Sequence, residues 1–216
     1  MREDQALSCG TQLGRRERNK LDKLNRIKKA AHALFRERGF DRATTREIAK
    51  RAGVGIGTVF SYATEKRDLL LLIYGERFEA ARADFKGIDP RRTFVGNLIE
   101  LFRPYYVLFA SEPEIMRDLL RELSYFTHGL QLPRMQAGRQ ELLKMIANVV
   151  TDAKKQGVLG TSDSAQAVAR LIFGILQAEI RIWIAGDKPV PEEGLRALAA
   201  ALKIFIRGLG PSRGAL

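Results

Sequence analysis

The residues best suited to chemistry lie between Thr44 and Lys66. Ala49, Gly53 and Val59 fall at intervals of four and six residues. Two short crossing helices ask for that pattern. A small residue sits where the axes approach, a glycine in the turn adopts positive φ, and a medium apolar side chain on the second helix is buried against the first. Ile48 and Val54 complete a small core, and Thr44 or Thr45 supplies an N-cap ahead of Glu47. The chemistry of such a helix-turn-helix is recognition rather than bond-making, since its second helix enters the major groove of duplex DNA. Two short packing helices in a larger bundle would show the same spacing, and the basic flank decides against that reading. The run Gly53-Val54-Gly55-Ile56-Gly57 looks superficially like a dinucleotide loop, but the residues before it have a helical pattern rather than the strand that motif requires.

Charge is distributed in keeping with an anionic polymer as partner. The chain has 216 residues with 37 Lys+Arg against 25 Asp+Glu, a net charge of +12. Residues 1–70 hold 17 basic and 9 acidic residues, so two thirds of the excess falls in the first third of the chain. A single cysteine, Cys9, excludes a disulfide scaffold, and with only two distant histidines, His32 and His128, no metal site is expected. No cofactor is expected either. The N-terminus lacks the apolar stretch of a secretory signal, and no apolar run approaches the length of a membrane span, so a cytoplasmic location is expected.

The elements that must position the motif read as helices throughout. Residues 1–22 read as a mobile basic arm, with Arg15, Arg16, Arg18, Lys20 and Lys23 available to lie in a minor groove. Leu24, Ile27, Ala31, Leu34 and Phe35 predict an amphipathic helix ending at Gly39. Helices are predicted over 45–52, 56–62, from 65 or 66 to near 87, 91–111, 114–128, 133–156, 162–185 and 192–207, with Pro104 kinking or splitting the fifth. The class is all-α with about nine helices. Residues 23–70 form a helix-turn-helix domain, and residues 71–216 form a helical ligand-binding and dimerisation domain.

Gly39 and Phe40, Thr44 to Ala49, Ala52 to Val54, Gly57 to Tyr62 and Lys66 to Leu70 together resemble the N-terminal DNA-binding domain of the tetracycline-repressor (TetR) family, over about residues 26–70. The resemblance implies a cytoplasmic homodimeric transcription regulator, usually a repressor. It would bind a palindromic operator and be released by a small effector in the C-terminal body. It also implies DNA contacts from Thr45, Arg46, Gly55, Ile56, Gly57, Thr58, Phe60, Ser61, Tyr62 and Lys66. Tyr62 and Lys66 would hold phosphates on either side of the reading helix. Phe60 stands where the family often has tyrosine, so Tyr62 and Lys66 carry more weight. The reading helix has no Arg, Lys, Asn or Gln from Gly55 to Ala63. Specificity is therefore expected from Arg46 and from DNA shape.

In the body, Phe102, Tyr105, Tyr106, Phe109, Tyr125, Phe126, Phe173 and Gln177 are the candidates for a largely apolar effector pocket, with Met116, His128 and Arg181 nearby in pattern. Most could equally be ordinary core. By the family resemblance, the helices near 162–185 and 192–207 pair with those of a second copy. The stripes Ile172, Ile175, Leu176, Glu179, Trp183 and Leu195, Leu198, Leu202, Phe205, Ile206 mark the expected faces. No nucleophile elbow, metal cluster or paired-carboxylate site points to an enzyme. The alternative is a helical small-molecule carrier or enzyme with an incidental basic N-terminus. A basic membrane-surface protein is disfavoured because the basic residues fall within a compact head.

Overall fold

The computed structural model describes residues 14–124 and 127–208. Among these residues the chain forms nine helices and no strand: α1 (Arg15–Arg38), α2 (Thr45–Ala52), α3 (Ile56–Phe60), α4 (Lys66–Ala83), α5 (Phe94–Ser111), α6 (Pro113–Leu123), α7 (Leu132–Lys155), α8 (Ala165–Ile184) and α9 (Pro191–Gly208). None of them is long and apolar enough to cross a membrane.

The first helix begins earlier than expected. Residues 15–22 are helical rather than a mobile arm. No glycine or proline interrupts the chain from Arg15 to Arg38, and most of its residues are good helix formers, so the helix outruns its buried stripe. That stripe is Ile27, Ala30, Ala31, Leu34 and Phe35, while Arg15 to Lys20 are all exposed. Gly39 stops the helix at φ 78°, and its amide donates to the Phe35 carbonyl.

Helix α2 has strong local punctuation at both ends. Thr44 is the N-cap: its Oγ1 accepts from the Glu47 amide at 3.2 Å, while Glu47 Oε2 accepts from the Thr44 amide at 3.0 Å. Gly53 ends the helix in the left-handed region, at φ 62° and ψ 39°. Ile48, Ala49 and Val59 are buried where α2 meets α3. Helix α3 is shorter than expected and gives way to a turn in which the Tyr62 amide donates to the Val59 carbonyl.

Helix α4 joins the two halves of the molecule. Every residue from Asp68 to Tyr74 is buried, because this helix is covered by α1 on one side and by α5, α6 and α7 on the others. It ends at Ala83, before the expected Gly87. Helix α5 starts at Phe94, capped by Thr93, and runs unbroken through Pro104 to Ser111, so the proline does not split it.

Helix α6 ends at Leu123 rather than near His128. The reason is tertiary. The amides of Leu130 and Gln131 donate to the buried Asp68 carboxylate at 3.1 and 3.0 Å, which requires the chain to leave helical geometry before α7. Helices α7 and α8 pack along their length, and α9 lies across α5 and α8. Arg117 of α6 donates from Nε and a terminal nitrogen to the carbonyls of Ile184 and Gly186, closing the end of α8.

The expected dimer stripes are partly core. Ile172, Leu176, Leu195, Leu198 and Leu202 are buried in the core of this chain, and Ile175, Glu179, Trp183, Phe205 and Ile206 are half-buried. The opposite faces of the same helices are also apolar. Leu171 is 55% exposed, Ile182 70% and Ile204 69%. Gly174, Ala178, Ala197 and Ala200 lie exposed between them at helical spacing.

Candidate DNA-reading head and effector cavity

The head is built on α2 and α3. Gly55, Ile56, Gly57, Phe60 and Ser61 form an exposed surface, with Ile56 41% and Phe60 45% accessible, and Thr58 is half-buried beside them. A side chain built at Gly55 or Gly57 would meet nothing within 4 Å. Packing inside this chain therefore does not require glycine at either position. Ser61 turns its hydroxyl back onto α3, donating to the Thr58 carbonyl at 2.8 Å. Arg46 is exposed on the first turn of α2 and makes no ion pair among the described residues, while Thr45 next to it is half-buried.

Tyr62 and Lys66 sit differently from the expectation that both simply face phosphates. The Tyr62 hydroxyl donates to the Lys20 carbonyl of α1 at 3.1 Å. The Lys66 ammonium donates to the carbonyls of Phe40 and Asp41 at 2.7 and 3.0 Å and lies 4.4 Å from the centroid of the Phe40 ring. Both side chains thus fasten parts of the head together. Other fasteners are the two-pronged pair of Arg51 with Glu37, both bonds at 2.6 Å, and the pair of Arg38 with Glu47 at 2.5 Å.

In the body, α4, α5, α6, α7 and α8 line a half-open cavity of about 450 Å³. Phe78, Tyr105, Phe109, Leu120, Leu142, Phe173 and Ile180 supply apolar wall. Of the candidates named from sequence, Tyr105, Phe109, Phe173 and Gln177 line it. Phe102 and Tyr106 do not: both are fully buried core residues, Tyr106 against Trp183 with ring centroids 4.7 Å apart. Tyr125 and Phe126 lie outside the described residues. Met116 is buried away from the cavity, and His128 is exposed beside Glu65.

Sequence reasoning named Arg181 but missed the rest of the cavity's basic margin, Arg82, Arg134 and Arg139, which line it beside Arg181. Arg134 forms a two-pronged pair with Glu79, both bonds at 2.8 Å, which holds the Glu79 carboxyl below the ordinary glutamate range. Arg181 donates to the Gln177 side chain at 2.6 Å and to Ser124 at 3.1 Å, and the Arg139 guanidinium lies 5.2 Å from the centre of the Phe173 ring. The available signal was helical phase: Gln131, Arg134, Met135, Gly138, Arg139 and Leu142 share one face of α7, and Leu71, Gly75, Phe78, Glu79 and Arg82 share one of α4.

Two knots join head and body. Asp68 Oδ2 accepts from the Thr64 amide and hydroxyl and from Leu130, and Oδ1 accepts from Gln131, whose own side chain donates to the Tyr62 carbonyl at 3.2 Å. Glu112, between α5 and α6, contacts His32 of α1 at 2.7 Å and accepts from the Tyr74 hydroxyl and, at 3.0 Å, from Arg77 of α4. Burial opposes ionisation of Glu112, but hydrogen bonds from Tyr74 and His32 and the charge of Arg77 outweigh it and hold the carboxyl below its ordinary value.

Comparison with known proteins agrees with this architecture. Residues 27–73 match the family described as bacterial regulatory proteins, tetR family. The chain is 22% identical to the fatty acid metabolism regulator protein of Bacillus subtilis over 198 residues, covering 89% of this chain and 98% of that one. It is 23% identical to the HTH-type transcriptional repressor BepR of Brucella suis, covering 74% and 79%. Among solved structures it is similar to FadR of Thermus thermophilus, a TetR-family repressor in complex with lauroyl-CoA. That likeness has a TM-score of 0.64 and 27% identity, and covers 89% of this chain and 98% of the other. A helix-turn-helix head, a helical body with a half-open cavity and these relatives converge on one assignment: the chain is a ligand-responsive, DNA-binding transcriptional regulator whose residues 27–73 match the tetR family.

Proposed function

We propose that the chain is a homodimeric repressor that leaves a two-fold operator when a fatty acyl thioester of coenzyme A enters the body cavity. The observation that carries this reading is the cavity itself, an apolar chamber of about 450 Å³ with four arginines on its lining. An effector matched to it has a long apolar chain and an anionic end. The lauroyl-CoA bound by the Thermus relative has that chemistry. The arginines disfavour cationic effectors.

DNA contact is assigned to the exposed surface of Gly55, Ile56, Gly57, Thr58, Phe60 and Ser61, with Thr45 and Arg46 at the start of α2. The glycines let the α3 backbone approach base edges, and Arg46 is the long side chain free to reach them. Tyr62 and Lys66 hold the head in shape and present their remaining polar surface to phosphates. The exposed apolar faces of α8 and α9 pair with a second copy, matching protein symmetry to a two-fold operator. The functional division falls at about residue 70, within α4.

Signal transfer follows from α4. Its later turns carry Gly75, Phe78, Glu79 and Arg82 to the cavity, while its first turn is fastened to the head and to α7 through Asp68. An effector wedged between α4 and α7 shifts that fastening, and with it the spacing of the two heads.

The test begins with selection of a binding site from random duplex DNA. Fluorescence anisotropy on the selected duplex should then show release by lauroyl-CoA, and none by free coenzyme A or by the cation rhodamine 6G. Release by the cation alone overturns the acyl reading.

A further inference from the structure

Two buried tyrosine hydroxyls, those of Tyr105 and Tyr106, donate to no acceptor among the described residues. A buried hydroxyl without a partner costs free energy that phenylalanine at the same position would avoid. Their surroundings differ. Tyr106 is packed against Trp183 and does not line the cavity. Tyr105 is 6% exposed, lines the cavity, and lies across from Phe78 at a centroid distance of 6.4 Å. Burial pushes its hydroxyl up to about 12, against the charge of the nearby Arg82 and a hydrogen bond donated by it, so the tyrosine keeps a proton to donate at any working pH.

Arg82 has been given room beside it. A Cβ added to Gly138 of α7 would come within 2.9 Å of an Arg82 terminal nitrogen, so the guanidinium lies across the bare backbone of the facing helix. Phe78 and Arg82 lie one turn apart on α4 and both neighbour Tyr105, which places the hydroxyl where apolar wall gives way to cationic margin.

We propose that the Tyr105 hydroxyl, beside the Arg82 guanidinium, is a carbonyl-reading subsite: it donates to the acyl oxygen of the effector at the junction of apolar chain and polar end. This rests on the acyl-effector reading above and deepens it. The hydroxyl proton is left without an acceptor in the free protein and gains one only when a ligand carrying an acceptor at that position is bound. The cavity thereby distinguishes an acyl chain from an alkyl chain of the same length, a discrimination its apolar walls do not supply.

The experiment compares lauroyl-CoA with S-dodecyl-CoA, the thioether in which a methylene replaces the carbonyl. Binding of both is measured by calorimetry to the wild-type chain, to Tyr105→Phe and to Tyr106→Phe. One neutral hydrogen bond to the carbonyl corresponds to a preference for the thioester of about tenfold in the wild type. The preference should fall to within about twofold in Tyr105→Phe and persist in Tyr106→Phe. The thermal midpoint of ligand-free Tyr105→Phe should equal or exceed that of the wild type, because the buried hydroxyl proton has no protein acceptor to lose and Arg82 keeps its exposure to the cavity. An unchanged preference in Tyr105→Phe, or a lowered ligand-free midpoint, overturns the subsite. Equal wild-type affinity for the two compounds overturns the subsite and leaves the acyl-effector reading standing. Failure of the wild type to bind either compound overturns both.

Discussion

Glycine at positions 55 and 57 faces open space rather than a neighbour, which separates the demands of folding from those of recognition. Gly57 lies inside α3, where alanine favours the helix by up to about 1 kcal/mol. Gly57→Ala should therefore keep or slightly raise the thermal midpoint, yet weaken operator binding at least about tenfold through the methyl held against the groove. Equal operator affinity for the two proteins would place the groove elsewhere. The residues around α2 were legible one by one from the sequence, because Thr44 and Gly53 act through their own local hydrogen bonds and dihedral angles. Tyr62 and Lys66 were only half legible. Their types suit phosphate contact, but their partners, the carbonyls of Lys20, Phe40 and Asp41, are set by how loops fold back.

Elements meet at two knots of different chemistry. At the first, Asp68 ties the start of α4 to the entry of α7 by accepting several hydrogen bonds at a fully buried site. An amide in its place turns one of the two acceptor oxygens into a donor facing other donors. Asp68→Asn should cost on the order of 3 kcal/mol, seen as a shifted denaturation midpoint in urea. At the second knot, Glu112 has its carboxyl held below the ordinary value of 4.5 in the folded chain. A depressed folded value adds stability above the unfolded value and loses it as pH falls through the folded one. Midpoints measured from pH 6 downward should therefore drop as pH passes below about 4.5, and more shallowly in Glu112→Gln than in the wild type. The early end of α6 could not be read from the sequence for the same physical reason: the amides of Leu130 and Gln131 answer to Asp68, some sixty residues away. The basic residues of α7 share a helical phase in the sequence, but only the packing of α4 and α8 turns them toward a cavity.

The whole molecule presents apolar surface on both sides of α8 and α9. Sequence periodicity located the helices but drew stripes that mix core residues with half-buried ones, because an all-round apolar helix offers no phase to separate core from interface. Placing a charge on the outer face tests the proposed pairing. Ile182→Arg with Ile204→Arg should sediment as a monomer with an unchanged helical circular dichroism spectrum, and should lose cooperative binding to a two-fold operator. A dimer that survives both changes would move the interface off these helices. At this scale α1 has a further consequence. Its first turns carry Arg15, Arg16, Arg18 and Lys20 as an exposed helical rod rather than a loose tail. Charges carried on a preformed rod approach the phosphates without first losing backbone freedom. Their contribution to binding is then counterion release with little ordering entropy set against it. The heat-capacity change of association should accordingly match the surface buried at the interface alone, with no excess from a segment that folds as it binds.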